Sequence, residues 1–332
     1  MTQLVLIDGN NIGYAGMYIP ALAHLSCDDH PTGGILGMAQ SVVRISNLYP
    51  QAIPVVLWDG HAAWRKALYP EYKGNRHDTP EKMAVAESWN EQQAHARLLL
   101  MHMGVIQVRA IDAEADDLVW RICQGVEDPD FGIERVVLCS NDQDWLQALG
   151  PRVDWYSPIT EKTMNLDTFL HGDDAYRSTE EFILAKAMAG DKSDNIDGVP
   201  GVGMKTAVKL LRLYGGLDGI AAAVASGTAK DKRSADIATS LPLIARNRKL
   251  MDWSLSEYSG PSATSILREP FYAEEVRRVC ERFRLDSLMR RLAPDSDFIR
   301  NSEAWDIPTS MDFLEKYAPV TQVGWKDDGY AV

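Results

Sequence analysis

Residues 190–213 read Gly-Asp-Lys-Ser-Asp-Asn-Ile-Asp-Gly-Val-Pro-Gly-Val-Gly-Met-Lys-Thr-Ala-Val-Lys-Leu-Leu-Arg-Leu, and two kinds of chemistry adjoin there. Asp191 and Asp194 stand three residues apart at the end of a predicted helix, Thr179 to Ala189. That spacing puts both carboxylates on one face of a turn. Gly198-Val199-Pro200-Gly201-Val202-Gly203 follows, then an apolar-periodic helix from Lys205 to Leu213. A glycine-rich turn opening a helix presents backbone N–H groups to an anion, and the helix dipole favours the same charge. Lys205, Lys209 and Arg212 add cations along that helix, with Thr206 beside them. The pattern reads as a helix–hairpin–helix at about 196–213 that grips a phosphate backbone without reading bases. The bland alternative is a Gly/Pro turn between two packed helices, and the adjoining acid pair favours the first reading.

Length and composition bound the rest. A chain of 332 residues makes one large α/β domain or two modest ones. Its hydrophobic fraction of 45% is that of a globular protein. No apolar run reaches the roughly 20 residues that cross a membrane, and the N-terminus lacks a basic signal segment. Cys27, Cys123, Cys139 and Cys280 are scattered, which fits a reducing cytoplasm and argues against a zinc site. The net charge of −13 argues superficially against nucleic acid. A cluster of metal-binding carboxylates and an acidic C-terminal stretch account for much of the excess, so placement matters more than the total.

Working outward from 190–213, four predicted strands end in acids. Gln3 to Ile7 meets Asp8-Gly9-Asn10-Asn11, and Ile53 to Trp58 meets Asp59-Gly60. Val105 to Val108 precedes Asp112-Ala113-Glu114-Ala115-Asp116-Asp117 at a helix start. Arg135 to Cys139 precedes Ser140-Asn141-Asp142-Gln143-Asp144. A fifth strand is predicted at Val153 to Tyr156, and a helix at Thr32 to Leu48. Residues 62–95 carry Trp64, Arg65, Lys66, Tyr69, Tyr72, Lys73, Arg76 and Trp89, a basic segment interleaved with aromatics. Cations contact phosphates and aromatic faces stack unpaired bases, against the plainer reading of a solvated amphipathic excursion. Residues 221–236 read as an exposed loop. Leu241 to Trp253 and Ala273 to Leu292 read as helices. Residues 294–332 read as an acidic, partly ordered tail.

In a parallel sheet all four strand ends point to one edge. That edge, with the helical region, gathers Asp8, Asp59, Glu114, Asp116, Asp117, Asp142, Asp144, Asp191 and Asp194. Like charges so close need a counter-charge. The all-oxygen donor set suits Mg²⁺ or Mn²⁺ rather than zinc. Two such ions stabilise the attacking and leaving oxygens of a phosphoryl displacement.

These motifs, in order from about residue 3 to 292, resemble the 5′-nuclease (flap endonuclease) family. That family includes the 5′-nuclease domain of bacterial DNA polymerase I and the stand-alone phage 5′–3′ exonucleases. Glu114-Ala115-Asp116-Asp117 resembles its Glu-Ala-Asp-Asp motif, Asp142-Gln143-Asp144 its Asp-x-Asp motif, and Asp191 with Asp194 its last acid pair. The resemblance implies one metal set near Asp8, Asp59, Glu114, Asp116 and Asp117. It implies a second at Asp144, Asp191 and Asp194, with Asp142 shared. Tyr14 falls where the family stacks an aromatic on a base at the duplex junction. Arg65 through Tyr69, Tyr72, Lys73 and Arg76 resembles its basic arch. Arg65, Lys66 and Lys73 are then the candidate catalytic cations, and the sequence leaves open whether Arg65 or Lys66 points inward. DNA contacts fall to Tyr14, Tyr72, Arg76, Gly201, Gly203, Lys205, Thr206 and Lys209. A K⁺ ion on backbone carbonyls at Val199 and Val202 is also implied. Gln143 and Ala15 depart from the basic residues that the family often carries at those places.

The expectation is an α/β protein with a mostly parallel central sheet flanked by helices, a PIN-like core. The core spans 1–178 and includes the arch at about 62–95. A helical DNA-binding region spans 179–293, and the tail 294–332. The expected function is a Mg²⁺-dependent 5′–3′ exonuclease and flap endonuclease working by two-metal-ion hydrolysis in phage DNA replication or repair. The expected setting is the cytoplasm of a bacterial host. Expected partners are DNA with 5′ ends, flaps or single-strand/duplex junctions, with an RNA–DNA hybrid as an alternative substrate. A replication protein docked on the acidic tail is a further candidate contact, against the plainer and favoured reading of an inert, solubilising tail. A rival of another class is a non-catalytic, structure-specific DNA-binding protein.

Overall fold

The computed structural model describes residues 2–76, 78–110, 112–173, 175–256, 264–318 and 320–323. The strands of its main sheet, in chain order, are β1 (Thr2–Asp8), β2 (Ala52–Trp58), β3 (Ile106–Ala110), β4 (Ile133–Cys139), β5 (Val153–Tyr156), β6 (Thr163–Met164), β7 (Thr264–Leu267) and β8 (Val320–Val323). They lie side by side as β8-β7-β3-β2-β1-β4-β5-β6. The five central strands, β3-β2-β1-β4-β5, are parallel. β6 and β7 join antiparallel at the two sides. The order reverses at β1, between β2 and β4, where open α/β sheets form a crevice at the strands' carboxyl ends.

Central parallel strands are covered on both faces, which is why they read as unbroken apolar runs. Leu4, Val5, Leu6 and Ile7 are all fully buried, and their alternation divides the molecule into two cores. On one face Leu4, Leu6, Val55 and Leu57 meet helices Ala115–Gln124, Thr179–Ala189 and Met204–Tyr214. On the other, Val5, Ile7, Val56 and Trp58 meet helices Gly33–Leu48 and Pro80–His102.

Several expectations need correction. Residues 221–236 are a loop only over 226–231: 221–225 and 232–236 belong to helices Leu217–Ala225 and Lys232–Thr239, whose apolar residues Ile220 and Ile237 are fully buried. Ala273 to Leu292 is two helices, Ala273–Arg282 and Asp286–Arg291. The stretch from 294 is no loose tail over its described part. It forms helices Asp297–Glu303 and Ile307–Tyr317 and then β8, and it buries Phe298, Phe313 and Leu314 completely. Residues 324–332 of that stretch lie outside the described residues. Nor does 179–293 stand apart as a helical unit, because β7 returns to pair with β3 of the core sheet.

Candidate metal and phosphate site

The carboxyl ends of β1, β2, β3 and β4 deliver Asp8, Asp59, Asp116 and Asp142 to one cleft of about 720 Å³, whereas Glu114, Asp117, Asp144 and Asp191 are not in its lining. Its lining includes Asp8, Asp59, Asp116, Asp142 and Asp194, the cations Lys73, Arg76 and Lys82, and Tyr14. Asp8 ends β1 and caps the helix Gly9–Met17: its Oδ1 accepts from Asn11 N at 3.0 Å. Its Oδ2 accepts from the Ser140 hydroxyl at 2.8 Å, which ties β1 to β4. Asp59 accepts from Ala115 N and from Asn10 Nδ2, each at 2.8 Å. Asp116 accepts from the Trp145 indole at 3.0 Å. Asp142 caps the short 3-10 helix Gln143–Ala148 by accepting from Asp144 N.

The electrostatics divide these acids into two groups. Some already have a protein cation. Lys73 donates to Glu114 at 2.8 Å, and the Tyr72 hydroxyl donates to the same carboxylate at 2.9 Å. Burial works against ionising Glu114, yet Lys73 and Arg65 together hold it at about 2. Lys186 bridges Asp144 and Asp191, lying 2.7 Å from the latter. Asp191 is likewise held at about 2, with Lys186 and Ser193 outweighing burial. Arg76 pairs with Asp194 at 2.8 Å. The other group has no ion-pair partner among the described residues. Asp8 is pushed up to about 7, first by burial and then by the charge of Asp59. Asp116 is raised well above its ordinary value by burial, and Asp142, Glu114 and Asp8 add to this against the pull of Lys73. A crowded, all-oxygen set that resists ionisation by itself fits a hard divalent cation. No three acids among the described residues are already gathered as a cation site.

Four expected roles, those of Arg65, Asp117, Tyr72 and Lys66, do not fit the geometry. Arg65 does not face the cleft. It is 1% exposed and makes a bidentate pair with Asp117 at 2.7 and 2.8 Å, while its Nε donates to Leu250 O. Asp117 is thereby withdrawn from any metal: it also accepts from Glu114 N, as the N3 partner of a capping box, and from Ser256 Oγ. Tyr72 is 4% exposed with its hydroxyl on Glu114, so its ring is not free to stack on a base. Trp89 is fully buried for the same reason of packing. Lys66 is exposed on the helix Ala63–Leu68 and is not part of the cleft lining.

The hairpin region also departs in detail. The helix ends at Ala189, and Gly190 takes φ +77. A Cβ there would meet Gly198 N at 2.3 Å, so glycine is required twice over. Asp191 therefore sits in a two-residue antiparallel pair, Gly190–Asp191 with Ile196–Asp197, rather than on a helical turn. Gly201 has φ +73, and Gly203 caps the helix Met204–Tyr214. Lys205 and Lys209 are exposed beyond it, with Thr206 half-buried. Arg212 is committed to Glu181 at 2.6 and 2.9 Å. Val199 O accepts from Val202 N at 3.0 Å, closing the turn.

Sequence reasoning passed over Lys186, Ser140 and Asn10. Lys186 lies five residues before Asp191 on a helix, and only the fold brings it between Asp144 and Asp191. Ser140 and Asn10 were inside quoted motifs, but their hydrogen bonds cross from one strand end to the next.

The fold and this edge of acids agree with comparisons to known proteins. A family profile described as 5′–3′ exonuclease, N-terminal resolvase-like domain, matches residues 3–172. A second, 5′–3′ exonuclease, C-terminal SAM fold, matches 178–255. The chain belongs to the 5′–3′ exonuclease family. DNA polymerase I of Bacillus caldotenax is 31% identical over 228 residues, covering 67% of this chain and 24% of that protein. DNA polymerase I of Bacillus subtilis (strain 168) is 32% identical over 218 residues, covering 64% and 23%. The chain thus spans about a quarter of the length of these curated relatives. Among solved structures, the bacteriophage T5 5′-exonuclease with bound zinc is 25% identical with a TM-score of 0.61, covering 90% of this chain and 99% of that one. The bacteriophage T5 flap endonuclease, solved as a pseudo-enzyme–product complex with DNA and metal ions, shares the fold at 24% identity and a TM-score of 0.62, covering 91% and 99%. Among the described residues no helix is long and apolar enough to cross a membrane.

Proposed function

We propose that this protein is a Mg²⁺-dependent 5′–3′ exonuclease and flap endonuclease that hydrolyses DNA phosphodiester bonds, a chemistry that serves replication or repair. The observation that carries this reading is the single cleft at the strand ends in which Asp8 and Asp116 resist ionisation while cations stand at its walls. Two divalent ions bound there would neutralise the crowded carboxylates and supply Lewis acidity to the phosphate. Asp8, Asp59, Glu114 and Asp116 would hold one, Asp144, Asp191 and Asp194 the other, with Asp142 shared. Asp117 is left out, because Arg65 takes both its oxygens.

The chain's own groups perform the rest. Lys73 and Arg76 line the cleft on carboxylate partners and exchange them for phosphate oxygens as substrate enters. Tyr14 presents a half-buried ring at the same cleft for stacking on a base. The turn at Gly201 and Gly203, with Lys205, Thr206 and Lys209, holds duplex phosphates away from the cutting site. Carbonyls at Val199 and Val202 are the candidates for a K⁺ ion there.

The test is cleavage of a 5′-flap duplex labelled at its 3′ end, with Mg²⁺ and with EDTA. Shortened product only with Mg²⁺ is expected, and its length separates cutting at the junction from stepwise digestion. Asp191→Ala should lose cleavage and keep its fold. Wild-type turnover in that variant would overturn the site, and flap binding without any cleavage would leave a binding protein.

A further inference from the structure

The helix Pro80–His102 borders the cleft through Lys82, Val85 and Ala86. One turn further along it, Trp89 and Gln93 both donate to a single acceptor, Asn10 Oδ1, at 3.3 and 2.6 Å. Asn10 in turn donates from Nδ2 to Asp59 Oδ2 at 2.8 Å. An indole N–H can only donate. Trp89 therefore fixes which end of the Asn10 amide is oxygen, and the N–H end must face Asp59. The second Asp59 oxygen is held independently by Ala115 N.

The relay is built on rigid parts. Trp89 is fully buried, stacks on Trp58 with ring centroids 6.5 Å apart, and lies 6.0 Å from the Tyr14 ring. Gly9 and Gly13 flank Asn10 for a steric reason. A Cβ at Gly13 would stand 2.1 Å from the Trp89 ring, and one at Gly9 would stand 2.5 Å from Trp58. The first turn after Asp8 is thus pressed against these two indoles, and Asn10 is the polar group that reaches from them to the metal edge.

We infer that Gln93 and Asn10 are positioning residues that couple the placement of the Pro80–His102 helix to the orientation of the Asp59 carboxylate. This rests on the reading of Asp59 as a metal ligand. Displacing the helix pulls on the Asn10 amide, and the amide releases or turns Asp59. A helix held against the cleft keeps Asp59 oriented for the ion.

The experiment is calorimetric titration of Mn²⁺ into the DNA-free protein, beside thermal melting and steady-state cleavage. The variants are Gln93→Ala, Gln93→Glu, Asn10→Ala and Asp59→Ala. Groups that orient a metal ligand are worth about 10-fold or more in affinity. Gln93→Ala and Asn10→Ala should each weaken Mn²⁺ by about 10-fold, and lower kcat with KM unchanged. Gln93 is half-buried and its loss should leave the melting temperature in place. Gln93→Glu presents an acceptor to Asn10 Oδ1 and favours turning the amide over, so it should bind Mn²⁺ more weakly than Gln93→Ala. Weakened binding in Asp59→Ala with wild-type binding in Gln93→Ala and Asn10→Ala overturns the relay. Wild-type binding in Asp59→Ala instead overturns the assignment of Asp59 itself.

Discussion

At the scale of single residues, the pairing of Arg65 with Asp117 shows how a motif acid is spent on structure. Both side chains are essentially buried, and each satisfies the other in a bidentate geometry. Removing one partner strands a buried charge, at a cost of about 3–5 kcal/mol. Asp117→Ala should therefore fail first in urea unfolding, whereas Asp116→Asn should leave stability intact and abolish cleavage. Asp8 sets a pH signature. Its folded pKa of about 7 lies above the ordinary 3.8, so the folded state binds the extra proton between those values. Stability of the EDTA-treated protein is then highest below about pH 4 as far as this group is concerned, and falls as pH rises towards 7. Glu114 acts in the opposite sense only where pH falls from 4.5 towards 2. Melting of the chelated protein should thus occur at higher temperature at pH 5.5 than at pH 8. Mg²⁺ should abolish that difference.

At the scale of elements, the cations of one helix divide between solvent and a fixed partner. The helix Met204–Tyr214 offers Lys205 and Lys209 to solvent, while Arg212 is fixed to Glu181. Lys205→Ala and Lys209→Ala should weaken duplex binding and each reduce the salt slope by about one. Arg212→Ala should lower stability and change that slope little, which salt titration of DNA affinity would read directly. The helix Gly9–Met17 depends on close approach to Trp89. Gly13→Ala adds a methyl where no space exists, and overpacking of this kind costs about 1–3 kcal/mol. Its melting temperature should drop even though alanine is the better helix former.

At the scale of the molecule, the stretch from residue 294 is structural over its described part, where the composition suggested a loose appendage. Residues 264–267 extend the sheet beside β3, and Ile307–Tyr317 packs against the helix Ala115–Gln124 that carries Asp116. Phe313 is fully buried among Phe131 and Tyr317, and Lys316 and Tyr317 both bond Asp128. Phe313→Ala should cost about 3–5 kcal/mol. Truncation after residue 293 should yield a chain that melts far earlier and aggregates, as sedimentation and scanning calorimetry would show. A tail that merely solubilised the protein would leave both unchanged.

The sequence by itself determined the parallel sheet and its acidic edge. Apolar runs of strand length ending in Asp or Glu are local patterns, and chain direction in a parallel sheet sends every such end to one side. It also marked the glycine turn of the hairpin, since glycine, lacking a Cβ, takes the positive φ found at Gly201 at little steric cost. Tertiary structure alone decided which acid meets which cation. Asp116 and Asp117 are neighbours in the chain, yet one faces the cleft and the other faces Arg65, because successive residues at a helix start point about a quarter-turn apart. The same holds for Lys186, which reaches Asp144 across 42 positions, and for the helices after residue 294. Their burial depends on surfaces supplied by distant strands, and a sparse apolar pattern rich in Asp and Pro carries no local trace of them.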